Sequence, residues 1–289
     1  MTKVRIVSPA KVIEKEFIDD AIKFLKEHSF EVEVSDNCLG QNHYFSGTDK
    51  ERKLDFQNAI DDSSIDVILC ARGGYGCIRI VDDLDFTKFM NKPKLIVGFS
   101  DVTVFHNHIH SNLNIPTLHA TMPLNFGSNS VKSLTSLVDV MNGNSICYEL
   151  ESHSSNKPGE VRAEVVGGNL AILYALIGTN SDINFDHKIL FIEDVGEHIY
   201  AIDRMLWAFQ KADKLKKLAG LIVGGLTSIK DTEIPFGKTI EAVVLERVDG
   251  LDIPVCFNFP AGHIDDNRAI ILGKKAVLEV RQDRVKFMQ

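Results

Sequence analysis

The sequence predicts an α/β fold with two sheets, a mostly parallel one in the N-terminal half and a smaller mixed or barrel-like one in the C-terminal half. Three observations predict this fold. In the first half, short β-branched apolar runs alternate with segments of helical periodicity. A polar, turn-rich stretch then occupies residues 147–159. Beyond it, strands and helices follow a different spacing, which indicates a second domain.

The elements of the first half follow a strand–helix rhythm. Apolar runs predict strands, and apolar residues at intervals of three or four predict helices. The predicted strands are residues 4–7, 31–34, 66–70 and 95–97. The predicted helices are residues 17–27, 50–60 and 101–110. This order is typical of a parallel sheet with helices on both faces, in which sites form at the carboxyl ends of the strands.

The second half contains more strands. These are predicted at residues 161–166, 189–192, 219–225, 254–257, 269–272 and 276–280. Helices are predicted at residues 169–176, 199–209 and 239–248. We therefore predict an N-terminal domain over residues 1–146, a linker over 147–159 and a C-terminal domain over 160–289.

Composition excludes several classes of function. The 289 residues are 44% hydrophobic and 25% charged, which is typical of a globular protein. A net charge of −8 gives no reason to bind nucleic acid or an anionic membrane. No apolar run is long enough to cross a bilayer, and the first ten residues do not resemble a signal peptide. The five scattered cysteines form no disulfide pattern, so we expect a cytoplasmic protein, with buried thiols at Cys70 and Cys256, which lie in or beside apolar runs.

A serine stands between a predicted strand and a predicted helix, in GFSDV at residues 98–102. Glycine two positions before Ser100 permits a tight turn that would present the serine side chain at the head of the sheet. The backbone N–H of Asp101 would then face a developing oxyanion. Val102 replaces the second glycine of G-x-S-x-G, which counts against an α/β-hydrolase. The alternative is that Ser100 or Asp101 only caps the helix.

A glycine-rich loop, RGGYG at residues 72–76, follows another predicted strand. Its three glycines allow a sharp turn and a close approach of backbone to ligand. The loop matches neither the dinucleotide pattern G-x-G-x-x-G nor a P-loop. Its N–H groups are suited to an oxyanion or a carboxylate, and a plain tight turn is the alternative.

The second half offers an acid and a histidine. Glu193 and Asp194 end the predicted strand 189–192, where an acid can orient a histidine or simply cap a helix. His263 follows a glycine in a polar loop, where it could act as a base or be an ordinary surface residue.

Three histidines, His106, His108 and His110, lie on the helix predicted after Ser100. His106 and His110 are spaced i, i+4, a spacing that can bind a metal, but Asn107 stands where H-E-x-x-H has its carboxylate. We expect partly exposed helix histidines, no metal site and no cofactor.

Four stretches together resemble one family, the murein LD-carboxypeptidases, serine peptidases whose sister group gives self-immunity to the peptide-nucleotide antibiotic microcin C. In chain order they are ARGGYGCIRI, LIVGFSDVTV, VGGNLAIL with LFIEDVGEHIYAIDRML, and AGHIDDNRAIILG. They run from Ala71 to Gly273, and the N-terminal VRIVSPA also fits. The resemblance implies a flavodoxin-like N-terminal domain, a C-terminal domain with a β-barrel-like sheet, and an active site between them.

The resemblance also implies roles for individual residues. Ser100 would be the nucleophile, Glu193 the triad acid and His263 the base. The backbone N–H groups of Asp101 and of a loop glycine, most simply Gly74, would form the oxyanion hole.

The implied substrate is the cytoplasmic tetrapeptide of recycled cell wall, cut between the L-centre of a diamino acid and the terminal D-Ala. Arg72 and Arg204 are candidates to hold the free carboxylate, because guanidinium forks suit carboxylates; either could instead form a structural ion pair. Tyr75 could line the pocket or only pack.

Two other hypotheses remain open at this point. The microcin-immunity branch would use the same triad to cleave aminoacyl-nucleotide analogues, and a non-catalytic small-ligand binding protein could use the same scaffold. An aromatic residue that stacks on a base would favour the former, but the single tryptophan, Trp207, is expected in the core. By analogy with the family, the chain could form a homodimer.

Overall fold

The computed structural model describes all residues, 1–289, and contains thirteen strands and eight α-helices. The strands are β1 (Lys3–Val7), β2 (Glu31–Val34), β3 (Val67–Cys70), β4 (Leu95–Gly98), β5 (Thr117–His119), β6 (Cys147–Glu151), β7 (Gly159–Asn169), β8 (Ile189–Val195), β9 (Gly220–Thr227), β10 (Val255–Cys256), β11 (Ile270–Leu272), β12 (Lys275–Val280) and β13 (Arg284–Met288). The helices are α1 (Lys15–Glu27), α2 (Asp49–Asp61), α3 (Thr87–Asn91), α4 (Thr103–Leu113), α5 (Val131–Met141), α6 (Leu170–Ala175), α7 (Ile199–Lys211) and α8 (Ile240–Arg247).

The first sheet has six strands in the order β11-β5-β4-β3-β1-β2. Strands β1 to β5 are parallel, and their order is that of flavodoxin-like folds, whereas β11 adds to the edge in the antiparallel direction. The predicted α/β class and parallel N-terminal sheet are therefore confirmed. The loops that follow β1, β3 and β4 all leave from the same carboxyl edge of the sheet.

The second sheet is mixed, as predicted, but its seven strands make it the larger of the two. The long strand β7 pairs antiparallel with β12 over its first half and parallel with β8 over its second half. A bridge between Lys157 and Val255 joins the segment before β7 to β10, at the far edge of the sheet. This link curls the sheet toward a barrel.

The predicted linker 147–159 needs a correction, because its first five residues form β6, which pairs with β13. Exposed Cys147, Glu149 and Glu151 alternate there with half-buried Tyr148 and Leu150. An edge strand with one solvated face carries this alternation, and its charged residues make the stretch look like a loop.

The two halves share one core. The largest buried apolar cluster contains Val4 and Ile6 of β1 together with Leu278 of β12 and Phe287 of β13. In addition, β11 belongs to the second half of the chain but pairs with β5 of the first sheet. Loops from both halves are therefore held in fixed positions relative to each other. None of the eight helices has the length and apolar composition that crossing a bilayer requires.

Candidate active site

Ser100 lies on a sharp turn between β4 and α4. Its φ of 63° is in the left-handed region, which costs a residue other than glycine free energy and is common at functional sites. A Cβ at Gly98 would lie 2.9 Å from a methyl carbon of Val102, so glycine at this position leaves room for the bulkier Val102. This explains how the turn forms without the second glycine of G-x-S-x-G.

Neither polar side chain of this turn caps the helix. The short 3-10 segment Ser100–Val102 has no side-chain cap. Asp101 is buried, and its carboxylate accepts a hydrogen bond from the backbone N–H of Cys77 at 2.8 Å. Burial raises the pKa of Asp101, although this hydrogen bond opposes the shift. The carboxylate thus fastens the glycine loop to the turn, and the capping alternative does not hold.

Ser100, His263 and Glu193 form one hydrogen-bonded chain. Ser100 Oγ is 3.1 Å from His263 Nε2, and His263 Nδ1 is 2.6 Å from Glu193 Oε2. The same Glu193 oxygen accepts the backbone N–H of His263 at 3.2 Å, which fixes the loop as well as the ring. Glu193 is fully buried in β8. The arrangement can take the proton of the serine hydroxyl and stabilise the imidazolium that results.

The His263 loop packs directly on Glu193. Gly262 has a φ of 108°, and a Cβ there would lie 2.7 Å from the Cβ of Glu193, so only glycine allows this approach. The N–H of Gly262 donates to the side-chain oxygen of Asn267 at 2.8 Å, and Asn267 is fully buried. The role of Asn267 in holding this loop is not predictable from the sequence, since a polar loop gives no sign that one of its amides is buried.

The pKa of His263 lies above its ordinary value of 6.5. Burial alone would lower it, but the hydrogen bond to Glu193 and the negative charge of Glu193 raise it, with a smaller effect from Asp194. Glu193 therefore makes the imidazole a stronger base.

This shift predicts how a reaction at Ser100 would depend on pH. Only the neutral imidazole can accept the serine proton, so kcat/KM should fall as the pH drops through the pKa of His263. Because that pKa is raised, we expect the acidic inflection of a kcat/KM profile above pH 6.5. An inflection clearly below that value would contradict the role of Glu193 in raising the pKa.

The glycine loop lies against the serine. A Cβ at Gly73 would be 2.8 Å from Ser100 Cβ, 2.9 Å from Ser100 Oγ and 3.2 Å from the backbone nitrogen of Asp101. The N–H of Gly74 donates to no group of the protein. A free N–H one residue from the serine contact is suited to an oxyanion.

A methyl group at Gly73 tests this packing. In Gly73→Ala the new Cβ must displace either Ser100 or the loop, so we expect kcat/KM to fall about 100-fold, the order of loss that a misplacement of about 1 Å causes. Gly127→Ala is the matched control, since a Cβ at Gly127 meets nothing within 4 Å. Equal activity of the two variants would show that the loop does not position Ser100.

The three predicted substrate-binding residues lie in different environments. Arg72 donates to the carbonyl of Val12 at 2.9 Å, its Nε is buried without a partner, and it forms no ion pair. Tyr75, in the glycine loop, is 45% exposed. Arg204 is exposed on α7 over the ring of Tyr200, 5.6 Å from its centroid, and forms no hydrogen bond with Ser100, Glu193 or His263.

Two of the three helix histidines are more buried than expected, whereas His108 is half-buried, as expected. His106 is fully buried and donates from Nε2 to the carbonyl of Gly98 at 2.9 Å, and burial lowers its pKa to about 4. His110 is also buried, with Nε2 2.7 Å from Glu164. Because α4 lies between the two halves of the protein, faces that a lone helix would expose are covered. No three His, Cys, Asp or Glu side chains are grouped so that they could hold a metal.

The expectation for Trp207 is wrong, because it is 41% exposed on α7 rather than in the core. The guanidinium of Arg247 lies 4.0 Å from the centroid of its ring. One face of the indole is therefore covered by a cation of α8, not open to a base.

The sequence profiles of one known family match most of the chain. The sequence profile of the LD-carboxypeptidase N-terminal domain matches residues 4–120, and that of the LD-carboxypeptidase C-terminal domain matches residues 162–278. The probable murein peptide carboxypeptidase of Bacillus subtilis is 31% identical over 284 residues, covering 96% of this chain and 89% of the relative. The Escherichia coli microcin C7 self-immunity protein MccF is 26% identical, covering 98% of this chain and 91% of MccF.

Solved structures of the same two groups of proteins are similar to this chain. The crystal structure of muramoyltetrapeptide carboxypeptidase from Oxalobacter formigenes superposes with a TM-score of 0.90 at 27% identity, covering 99% of this chain and 98% of that one. A complex of MccF with glutamyl sulfamoyl guanosine superposes with a TM-score of 0.88 at 20% identity, covering 100% and 96%, which shows a shared fold.

Proposed function

The chain belongs to the LD-carboxypeptidase family, and we propose that it is a serine carboxypeptidase that removes the terminal D-Ala from murein tetrapeptides. The observation that carries the proposal is the chain of hydrogen bonds from Ser100 through His263 to the buried Glu193. The relative from Bacillus subtilis named as a probable murein peptide carboxypeptidase supports the substrate class.

The proposed reaction has two steps. Ser100 Oγ attacks the scissile carbonyl carbon while His263 Nε2 takes its proton, and Glu193 holds the imidazolium. The N–H groups of Gly74 and Asp101 stabilise the oxyanion. His263 then gives the proton to the leaving amine, so D-Ala departs and an ester remains on Ser100. Water, deprotonated by His263, hydrolyses that ester and restores the serine.

The bond cut would be the one between the L-centre of a diamino acid and D-Ala. Arg72 is the better of the two predicted carboxylate ligands, because it lies in the glycine loop and has no acidic partner, whereas Arg204 lies on the exposed face of α7. Tyr75 would border the same pocket. We further propose a cytoplasmic role in cell-wall recycling, with the protein acting as a homodimer.

A microcin-type peptidase is the second candidate, favoured by the match to MccF over 98% of the chain. It would cleave an amide in an aminoacyl-nucleotide analogue through the same three residues. Trp207 offers it little support, because Arg247 already covers one face of the indole.

A two-substrate assay tests the proposal. The protein is incubated with a tetrapeptide that ends in D-Ala and, separately, with an aminoacyl sulfamoyl adenosine, and the products are quantified by mass spectrometry. A tetrapeptide ending in L-Ala is the control. We expect D-Ala release at a higher kcat/KM than cleavage of the nucleotide analogue. If only the analogue is cleaved, the second candidate is correct; if neither is cleaved, a non-catalytic binding protein is the remaining hypothesis.

A further inference from the structure

Of four cations close to the glycine loop, two are neutralised and two are not. Arg52 and Arg79 both pair with the carboxylate of Asp49. Arg72 and Lys11 pair with no carboxylate, although the chain as a whole carries a net charge of −8. An anion that binds beside either side chain would meet no competing carboxylate of the protein.

Lys11 lies directly beside the loop. A Cβ at Gly74 would lie 2.8 Å from Lys11 Cβ and 3.5 Å from its Cδ, so the lysine side chain runs across this glycine. Gly73, the preceding residue, lies against Ser100. Lys11 is therefore one loop residue away from the contact with the serine.

Arg72 is also hydrogen-bonded to the backbone next to Lys11. Val12 follows Lys11, and its carbonyl accepts the hydrogen bond from Arg72 at 2.9 Å. The Lys11 ammonium lies over the ring of Tyr44, 5.1 Å from the centroid, with no oxygen of the protein bound to it. A four-carbon stem leaves this ammonium free to turn toward a ligand.

The position of Lys11 beside the loop suits the substrate of the proposed reaction. In a peptide that loses its last residue, the terminal carboxylate lies one residue, roughly 3.3–3.6 Å of chain, beyond the scissile carbonyl. A cation one loop residue away from the serine contact can reach that carboxylate with a flexible side chain.

We propose that Lys11 binds the free C-terminal carboxylate of the substrate, beside Arg72, and so restricts the enzyme to removal of a terminal residue. This inference rests on the proposed function. It adds a residue outside the loop and the triad, which the sequence analysis did not single out.

Two peptides separate this role from a structural one. Wild type and Lys11→Met are assayed on a tetrapeptide with a free C-terminal D-Ala and on the same peptide with a C-terminal amide. We expect Lys11→Met to raise KM for the free acid about tenfold or more, since a charge-assisted hydrogen bond is lost, and to leave kcat/KM for the amide unchanged. The amide thereby reports on the integrity of the variant.

Lys15→Met is the matched control, because it removes the same charge from a lysine that is 71% exposed and paired with Asp19. It should leave the preference for the acid over the amide unchanged. Lys11→Arg should retain most of that preference. The inference is overturned if Lys11→Met affects both peptides equally, or neither. A wild-type protein that cleaves neither peptide would instead contradict the proposed function itself.

Discussion

Ser100→Ala is expected to lower kcat for D-Ala release by at least about 10⁴-fold, because the side chain proposed to form the acyl-enzyme is gone. The geometry behind this prediction is the contact of 3.1 Å from Ser100 Oγ to His263 Nε2. The residual rate would come from substrate binding and the oxyanion N–H groups alone. The rate of D-Ala release measures the effect, and the thermal unfolding midpoint shows whether the variant is folded.

Ser100→Gly makes this test sharper. The serine adopts a φ of 63°, which glycine tolerates without strain, so the glycine variant should be as inactive as the alanine variant but more stable, by about 1 kcal/mol. If the glycine variant is inactive and also more stable than the alanine variant, its loss of activity cannot result from misfolding. Activity close to that of the wild type in either variant would exclude Ser100 as the nucleophile.

Glu193→Gln is expected to lower kcat by about 10⁴-fold, the loss typical when the triad acid becomes an amide. The amide can donate a hydrogen bond to His263 Nδ1 and so stabilise the wrong tautomer. The variant also lacks the charge that raises the pKa of His263, so the acidic inflection of kcat/KM should move to lower pH. A pH profile of the residual activity measures this shift.

Asp194→Asn is the control for Glu193→Gln. Asp194 is the neighbouring buried acid, but its carboxylate binds the backbone N–H of Val195 and of Ala171 and the side chain of Asn169 rather than His263. Its replacement should lower the unfolding midpoint yet reduce kcat less than tenfold, because only side chains that contact the base affect the chemistry directly. A larger loss of kcat in Asp194→Asn than in Glu193→Gln would reverse the proposed assignment.

The sequence predicts well what depends on neighbouring residues. Apolar runs and helical spacing place most strands and helices, and Gly98 predicts the turn that presents Ser100. The partners of that serine are a different matter, because His263 is 163 residues away and Glu193 lies on a strand of the other half. No spacing rule joins residues so far apart, and only the family resemblance connects them before the structure does.

Burial is where sequence patterns fail. His106 and His110 are buried because α4 packs between the two halves. Strand β6 is not recognised from the sequence because the charged residues on its exposed face are typical of a loop. Trp207 shows the opposite error, because it is expected in the core but lies at the surface, where Arg247 covers one face of its ring. In each case the deciding contact comes from an element distant in sequence.

Labelling with a fluorophosphonate tests whether His263 and Glu193 make Ser100 a nucleophile. The wild-type protein is treated with the reagent, with and without excess tetrapeptide, and the modified residue is located by peptide mass spectrometry. One phosphonyl group per chain is expected on Ser100, added more slowly in the presence of the tetrapeptide and much less in His263→Ala. Modification of another residue, or D-Ala release by a protein whose Ser100 stays unmodified at high reagent concentration, would contradict this expectation.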